Sequence, residues 1–401
     1  MKTAIILSAH TLGLGVIRAL GSMGVPIIAY SYQAMDVGHV SKYVRKAVHC
    51  VHPEKDEVSF IELLLEHAKE DAGSVLFPAD DQTLSVVSRH KAILDQHYVV
   101  ACTEWGVAEQ FIDKKYTYAL ADRIGVPAPK TMIPASREEV EDYGRNVQYP
   151  CVVKPNIGHR FFAIFGKKMF RVDDYDQLLS AYDRAIGADV GVMLLELIPG
   201  DDTCGVNYNS YFIDGEAVVE FTAEKVRLAP PNFGVPRVLV SKEIPEIIEP
   251  GRTILRAMGF NGFSCTEFKK DERDGIYKIM DVNGRQNLST LLSVKCGINF
   301  PWITYRHLAY GETPSPCNFR QGVYWIDFTK DVIFSLIKCR SERYSLSQYL
   351  RPYLEPHIFA ILDWKDMRPF LKRCLDLFRL ACQRLVSMIR RPAKSHGEAK
   401  I

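Results

Sequence analysis

Short apolar runs alternate with amphipathic stretches through the first hundred residues. Residues 4–7, 26–30, 75–77 and 98–102 read as buried strands. Between them, 14–23, 60–69 and 82–94 repeat apolar positions at helical spacing; in the second they fall at 60, 61, 64, 65 and 68. Strands alternating with helices of this length predict a parallel sheet in an open α/β domain, here over 1–110.

The pattern then changes. A helix over 114–124 closes at Gly125 and is followed by the proline-punctuated VPAPKTMIP. Next comes an α+β segment with strands at 151–154, 168–172 and 192–196, a loop between the first two, and a helix at 175–186. A second α+β block has strands at 204–213 and 216–223 joined by Asp214-Gly215, a strong hairpin signal. A helix at 249–258 leads to strands 262–269 and 276–282, joined around Asp274-Gly275. From about Pro314 the chain turns to aromatic and basic helices. The expected divisions are 1–110, then 111–313 (a small lobe at 125–195 and a larger one at 196–313), then a helical basic extension at 314–401.

Composition narrows the function classes. A chain of 401 residues is too long for one ordinary core. Fifty Lys and Arg against forty-eight Asp and Glu argue against bulk nucleic-acid binding. The ten cysteines form no CxxC pair, and the eleven histidines show no metal-ligand spacing. The first apolar run breaks at Ser8, too early for a signal peptide, and no stretch reaches the roughly 18 apolar residues of a membrane span, so a cytoplasmic location is expected. Gly13 and Gly15 open like a dinucleotide fingerprint, but Arg18 stands where its third glycine belongs. The pair reads as a tight strand-to-helix turn, and a dinucleotide oxidoreductase is the weakest functional reading.

The richest stretch for chemistry is FSCTEFKKDERDGIYKIMDVNGRQN, residues 263–287. Residues two apart on a strand share a face, so Asp281 and Asn283 project together, and Glu267 can meet them from the neighbouring strand. Two carboxylates and an amide oxygen are hard ligands suited to magnesium. Arg285, on the same face, offers a guanidinium fork for a carboxylate or phosphate. The apolar neighbours Ile279, Met280 and Val282 read as an internal strand, where such polar groups need partners or a ligand.

With its upstream Glu267, Asp281-x-Asn283-x-Arg285 resembles the metal-binding hairpin of the ATP-grasp enzymes, D-aspartate-ligase-like and other carboxylate–amine ligases above all. YPCVVKP resembles that family's phosphate-lysine strand, with Lys154 directed at the phosphates, and Asp113-Lys114 resembles its first nucleotide lysine. LLELIPGDD resembles the hinge that reads adenine. The resemblance implies that Glu196 takes the adenine amino group, the backbone near Leu197 and Ile198 the ring nitrogens, and Asp202 the ribose. It also implies ATP and Mg2+ (or Mn2+) as cofactors, Lys114 and Lys154 on the phosphates, and an acyl phosphate formed from a small-molecule carboxylate and then captured by an amine. An ATP-grasp carboxylase, a thioester-forming ligase and a nucleotide-binding regulator without turnover are the rivals. One departure stands out: the loop PNIGHRFFAIFGKK has only Gly158 and Gly166 where many members carry a glycine run. His159, Arg160 and Lys168 offer charge in place of backbone donors.

Three further features have two readings each. The pair Asp80-Asp81, at the end of the strand 75–77, reads as a helix N-cap or as a site, with Asp80 as a substrate residue, because ligands of open α/β sheets lie at strand carboxyl ends. His10 occupies a similar strand end. The segment 365–394 holds nine basic and two acidic residues, with Leu371, Cys374, Leu375, Phe378, Cys382, Leu385 and Ile389 at helical spacing. It suits an anionic membrane or a partner, or it packs its stripe on the protein's own body. An oligomer is compatible with all of this.

Overall fold

The computed structural model describes residues 1–232, 234–338 and 344–389. Cys339, Arg390, Arg391 and Lys394 lie outside the described residues, as do the side chains of Arg384, Leu385 and Ile389.

The amino-terminal domain runs β1 (Ala4–Leu7), α1 (Thr11–Gly21), β2 (Ile27–Ser31), β3 (Val44–His49), α2 (Glu57–Asp71), β4 (Val75–Pro78), α3 (Asp81–Arg89), α4 (Lys91–Leu94) and β5 (Val99–Val100). Its five strands pair in parallel, in the order β3-β2-β1-β4-β5. Alternate residues of β1 enter separate cores: Ala4 and Ile6 meet α1, while Ile5 and Leu7 meet α2 and α3. Gly13 is required at the β1–α1 turn, since a Cβ there would stand 2.1 Å from the Ser8 carbonyl oxygen.

Helices α5 (Trp105–Ile112) and α6 (Lys114–Ile124) bridge to the small lobe: β6 (Thr131–Met132), α7 (Arg137–Asn146), β7 (Cys151–Pro155), α8 (Gly158–Phe165), β8 (Phe170–Val172), α9 (Tyr175–Ile186) and β9 (Val192–Glu196). Its antiparallel sheet has the order β6-β9-β7-β8. Cys151 and Val153 pack with α7 and α9, whereas Val152 faces Tyr118 of α6. Strand alternation puts Lys154 on the Tyr118 side.

The large lobe comprises β10 (Gly205–Ile213), β11 (Glu216–Ala229), β12 (Val235–Ser241), α10 (Ile248–Ala257), β13 (Gly262–Lys270), β14 (Tyr277–Asn283), α11 (Thr290–Lys295), α12 (Phe300–Tyr310), β15 (Tyr324–Ile326), α13 (Phe328–Lys338), α14 (Leu346–Leu354), β16 (His357–Phe359) and α15 (Arg368–Ile389). Its sheet has the order β14-β13-β10-β11-β12-β15-β16. Asp214 and Gly215 both have positive φ, the conformation of a two-residue hairpin turn between β10 and β11. One sheet face buries Val206, Tyr208, Phe268 and Ile279 against α5, α6 and α10. The other buries Phe221, Phe263 and Cys265 with residues of α11 and α12.

Four expectations are corrected. The stretch after Lys154 is not a loop, because α8 forms over Gly158–Phe165 and anchors Phe161 among Phe165 and Phe170. The helix expected over 82–94 breaks at His90 into α3 and α4. β14 is an edge strand and not an internal one. Its free side is covered, with Ile279 N donating to Pro127 O and the Tyr118 hydroxyl to Met280 O, while Ile279 and Val282 are buried against α5, α6 and α10. Finally, the segment after Pro314 is not wholly helical. β15 pairs with β12 and β16 with β15, so this segment completes the large sheet.

Candidate active site

Cations from three elements converge on one pair of carboxylates. Glu267 and Asp281 are direct cross-strand partners on β13 and β14, and Asn207 of β10 stands opposite Glu267 on its other side. Lys225 of β11 pairs with Glu267, and Lys114, the first residue of α6, pairs with Asp281. Burial would raise the Glu267 carboxyl, but the ammonium of Lys225, then those of Lys168 and Lys114, outweigh it and hold the group at about 2. It is therefore a fixed anion. Asn207 is 5% exposed, and its Oδ1 has no hydrogen-bond partner among the described residues.

A bulge shapes the neighbouring wall. Pairing steps from Glu267–Asp281 to Phe268–Ile279 and leaves Met280 without a cross-strand partner. Bulges re-aim local groups. Here the Met280 carbonyl accepts from Lys154 Nζ and from the Tyr118 hydroxyl, each at 2.8 Å. Lys154 Nζ also donates to the Tyr118 oxygen at 2.6 Å. Burial lowers the Lys154 pKa, while Asp281 and Glu267 pull in the opposite direction.

Arg285 reaches across to the amino-terminal domain. Its Nε and Nη2 each lie 2.9 Å from an oxygen of Asp81, and Nη2 also donates to Asn283 Oδ1 at 3.0 Å. Burial would raise the Asp81 carboxyl, but the guanidinium outweighs it and leaves the pKa lowered. Gly284 is needed between Asn283 and Arg285, because a Cβ would come within 2.4 Å of the Phe111 ring. Arg285 lines a cavity of about 430 Å³ with Phe77, Tyr211, Thr304 and His307.

The structure thus brings Lys114, Lys154, Glu267, Asp281, Asn283 and Arg285 together. Asp80 is the N-cap of α3, accepting from Thr83 N at 2.7 Å, and His10 Nδ1 caps α1. The hinge residues have other neighbours. Glu196 accepts from Lys130 N and pairs with Arg273 and Lys278. Glu196 and Leu197 line a cleft of about 890 Å³ that none of Lys154, Glu267 and Asp281 lines. Ile198 is buried, with its carbonyl accepting from Lys269. Asp202 is buried and accepts from Leu228 N and Asn232 N, organising the turn after β11.

Sequence reasoning missed Asn207, Lys225 and Tyr118; it singled out Asp81 together with Asp80 but not its pairing with Arg285. A period-two reading of 204–213 would have placed Asn207 on the carboxylate face. Lys225 escaped because the strand was ended at 223, six residues before Ala229.

The donor set fits a hard divalent cation. Glu267 and Asp281 face each other, Asn283 follows on the same face, and Glu267 is held ionised. No group of three or more His, Cys, Asp or Glu side chains that could hold a metal occurs among the described residues. Two carboxylates and an amide leave room for water and phosphate oxygens, as magnesium requires.

No protein-family profile matches the chain. D-aspartate ligase of Enterococcus faecium (strain Aus0004) is 26% identical over 265 residues, 61% of this chain and 62% of that protein. The match thus spans less than two thirds of the relative's length. L-amino acid ligase from Bacillus licheniformis superposes with a TM-score of 0.61 at 18% identity, over 77% of this chain and 74% of that one. N5-carboxyaminoimidazole synthetase from Staphylococcus aureus gives 0.64 at 12% identity, over 85% and 86%. The biotin carboxylase from Campylobacter jejuni, solved with a β,γ-ATP compound, gives 0.64 at 16%, over 81% and 74%. With a parallel-sheet domain, a four-stranded lobe and a large sheet presenting paired carboxylates to lysines, the chain has the ATP-grasp fold.

Proposed function

We propose that this chain is an ATP-dependent carboxylate–amine ligase, forming an amide or peptide bond through an acyl phosphate and releasing ADP. The observation that carries the reading is the pairing of Lys114 and Lys225 with Asp281 and Glu267, with Lys154 held beside them on the Met280 carbonyl and within reach of both charges. Glu267, Asp281 and Asn283 would hold Mg2+, with Mn2+ as the other hard ion these oxygens suit. Such an ion, when bound, supplies charge neutralisation to phosphate oxygens.

The protein's own groups do the rest. Adenine lies along the hinge, its amino group toward Glu196 and its ring nitrogens toward the backbone at Leu197 and Ile198. The ribose lies toward Asp202, whose two oxygens each accept one backbone N–H and keep a second lone pair. Lys114 and Lys154 stabilise the transferring γ-phosphoryl group. Lys154 is preset by Met280 O and Tyr118, so little reorganisation accompanies the reaction. Arg285, gripped by Asp81, orients the substrate carboxylate. A carboxylate oxygen attacks the γ-phosphorus and ADP leaves. The amine then attacks the carbonyl carbon and phosphate leaves. Positioning and charge supply the rate, with no protein nucleophile.

A cytoplasmic location, where ATP is supplied, is part of this reading. Among the described residues no helix is long and apolar enough to cross a membrane. In the test, ATP, magnesium and a panel of small carboxylates are incubated with hydroxylamine. A hydroxamate should form, and isotope from the carboxylate oxygen should appear in released phosphate. AMP and pyrophosphate would mean adenylation instead. Turnover restricted to bicarbonate or coenzyme A would place the reaction elsewhere on this fold, and nucleotide binding without substrate-dependent ADP release would make the chain a regulator.

A further inference from the structure

Helix α15 turns its apolar stripe outward. Leu371, Leu375 and Phe378 are 54%, 57% and 69% exposed, and Cys374 and Cys382 on the same stripe are also exposed. At 3.6 residues per turn these five positions fall within an arc of roughly 100°. The expectation that the stripe would pack on the protein's own body is therefore reversed over the described residues.

The opposite face explains why. Pro369 is buried, and Phe370 packs beside the core around Trp325. Arg373 donates to Thr11 at 3.0 Å, and Lys372 pairs with Asp376 and reaches the Ala34 carbonyl. Just before the helix, the buried Asp366 accepts from Arg18 Nε at 3.1 Å, Ser41 Oγ at 2.7 Å and Lys42 N at 2.9 Å. These contacts fix the helix against rolling, so the stripe cannot turn inward.

The same contacts sort the charges. Asp366 and Asp376, the two acids of the segment, are both buried and paired inward. Lys365, Arg368 and Arg379 are exposed, and Trp364 is 81% exposed. Arg368 and Arg379 lie along one margin of the stripe, within roughly 100° of its centre. Over the described residues the outward face of α15 therefore combines apolar residues with an arginine margin, and an exposed tryptophan stands just before the helix.

We propose that this face docks the protein on an anionic lipid surface, with α15 lying in the plane of the headgroups. Apolar residues enter the acyl boundary, the basic margin meets lipid phosphates, and Trp364 sits at the interface. A second copy of the chain is the poorer occupant, since an antiparallel two-fold contact would set arginine margins of like sign together and a parallel one would leave both margins without an acidic partner on the outward face. The proposal does not depend on the ligase reading, and its test measures no catalysis.

The full chain is sedimented with phosphatidylcholine vesicles and with vesicles that also contain phosphatidylglycerol. Binding is expected only to the mixed vesicles, and salt should weaken it. Leu375→Asp and Phe378→Asp should each lower partitioning by about tenfold or more. Arg379→Gln should lower it about fivefold at low salt. All three should keep the wild-type circular-dichroism melt, because these side chains are exposed. Absent binding, or equal binding to both vesicles, overturns the proposal. So does a wild-type dimer by light scattering that Phe378→Asp converts to monomer, which would assign the stripe to a second copy.

Discussion

Asp81→Asn asks whether the amino-terminal domain sets the position of Arg285. The substitution keeps the shape but removes the charge and one of the two oxygens that Nε and Nη2 meet at 2.9 Å. Hydrogen bonds to charged groups are worth about 1.5–3 kcal/mol. Solvent screens this pair, whose side chains are 15% and 39% exposed for Arg285 and Asp81, and asparagine retains one acceptor. About 1–2 kcal/mol remains, or roughly a 5- to 30-fold fall in kcat/KM for the carboxylate. The assay is initial ADP release, varying carboxylate at saturating ATP and then the reverse. KM for ATP should change less than KM for the carboxylate, because Asp81 hydrogen-bonds Arg285 and acts on Lys114 only through the charge between them. The Asp81 pKa is lowered in the folded protein, so the ion pair is complete above the usual carboxylate value, near 4, and is lost as pH falls through the lowered one. The deficit should therefore be constant from about pH 5 to pH 8. An unchanged dependence on carboxylate, or a parallel rise in KM for ATP, would refute the assignment. Combined with Arg285→Lys, the losses should be less than additive, because both changes strike one interaction.

Asp281→Ala should abolish ADP release while moving the nucleotide-free melting point by less than about 2 °C, and activity in the folded variant would defeat the metal assignment. Tyr118→Phe removes one of the two hydrogen bonds that hold Lys154, about 1 kcal/mol, so kcat should fall about fivefold with the melt preserved. Asp366→Ala leaves Arg18 buried with backbone carbonyls and the Asp363 carboxylate 4.0 Å away, and should destabilise the fold by about 2–3 kcal/mol in a urea titration; unaltered stability would show that these partners suffice. Because the Glu267 carboxyl is held at about 2, its stabilising contribution is complete above its usual value and disappears as pH falls toward 2. Glu267→Gln should accordingly flatten the acid slope of stability below about pH 5.

Local pattern made much of this molecule legible. Alternating strands and helices marked the parallel sheet, and the helix Lys114–Ile124 closes at Gly125 as the spacing predicts, with Gly125 at φ +73°. The pairing of Glu267 with Asp281 followed from strand periodicity. What escaped notice depends on contacts between distant segments. β15 and β16 are three residues each, too short to show a period, and they become strands only because the edge at β12 is there to pair with. The edge position of β14 was hidden because Pro127 and Tyr118, well over a hundred residues earlier, supply the cover that normally makes a strand look internal. Asp80 and Asp81 are adjacent, and their separate fates, a helix cap and an Arg285 partner, depend on how the domains meet.

Arg18 shows how a fault in one pattern is a requirement of another. It occupies the third glycine position of a dinucleotide fingerprint, where a side chain hinders close helix–strand packing and argues against that function. In the folded protein its guanidinium is 4% exposed and holds Asp366 together with the carbonyls of Ile361 and Asp366. A glycine there would leave the buried Asp366 carboxylate without its cation, and the turn before α15 would lose its anchor to the first helix of the chain. The orientation of α15, and hence which of its faces meets solvent, is therefore written partly at residue 18. No window of sequence around α15 contains that information, and so the direction of its apolar stripe could not be read locally.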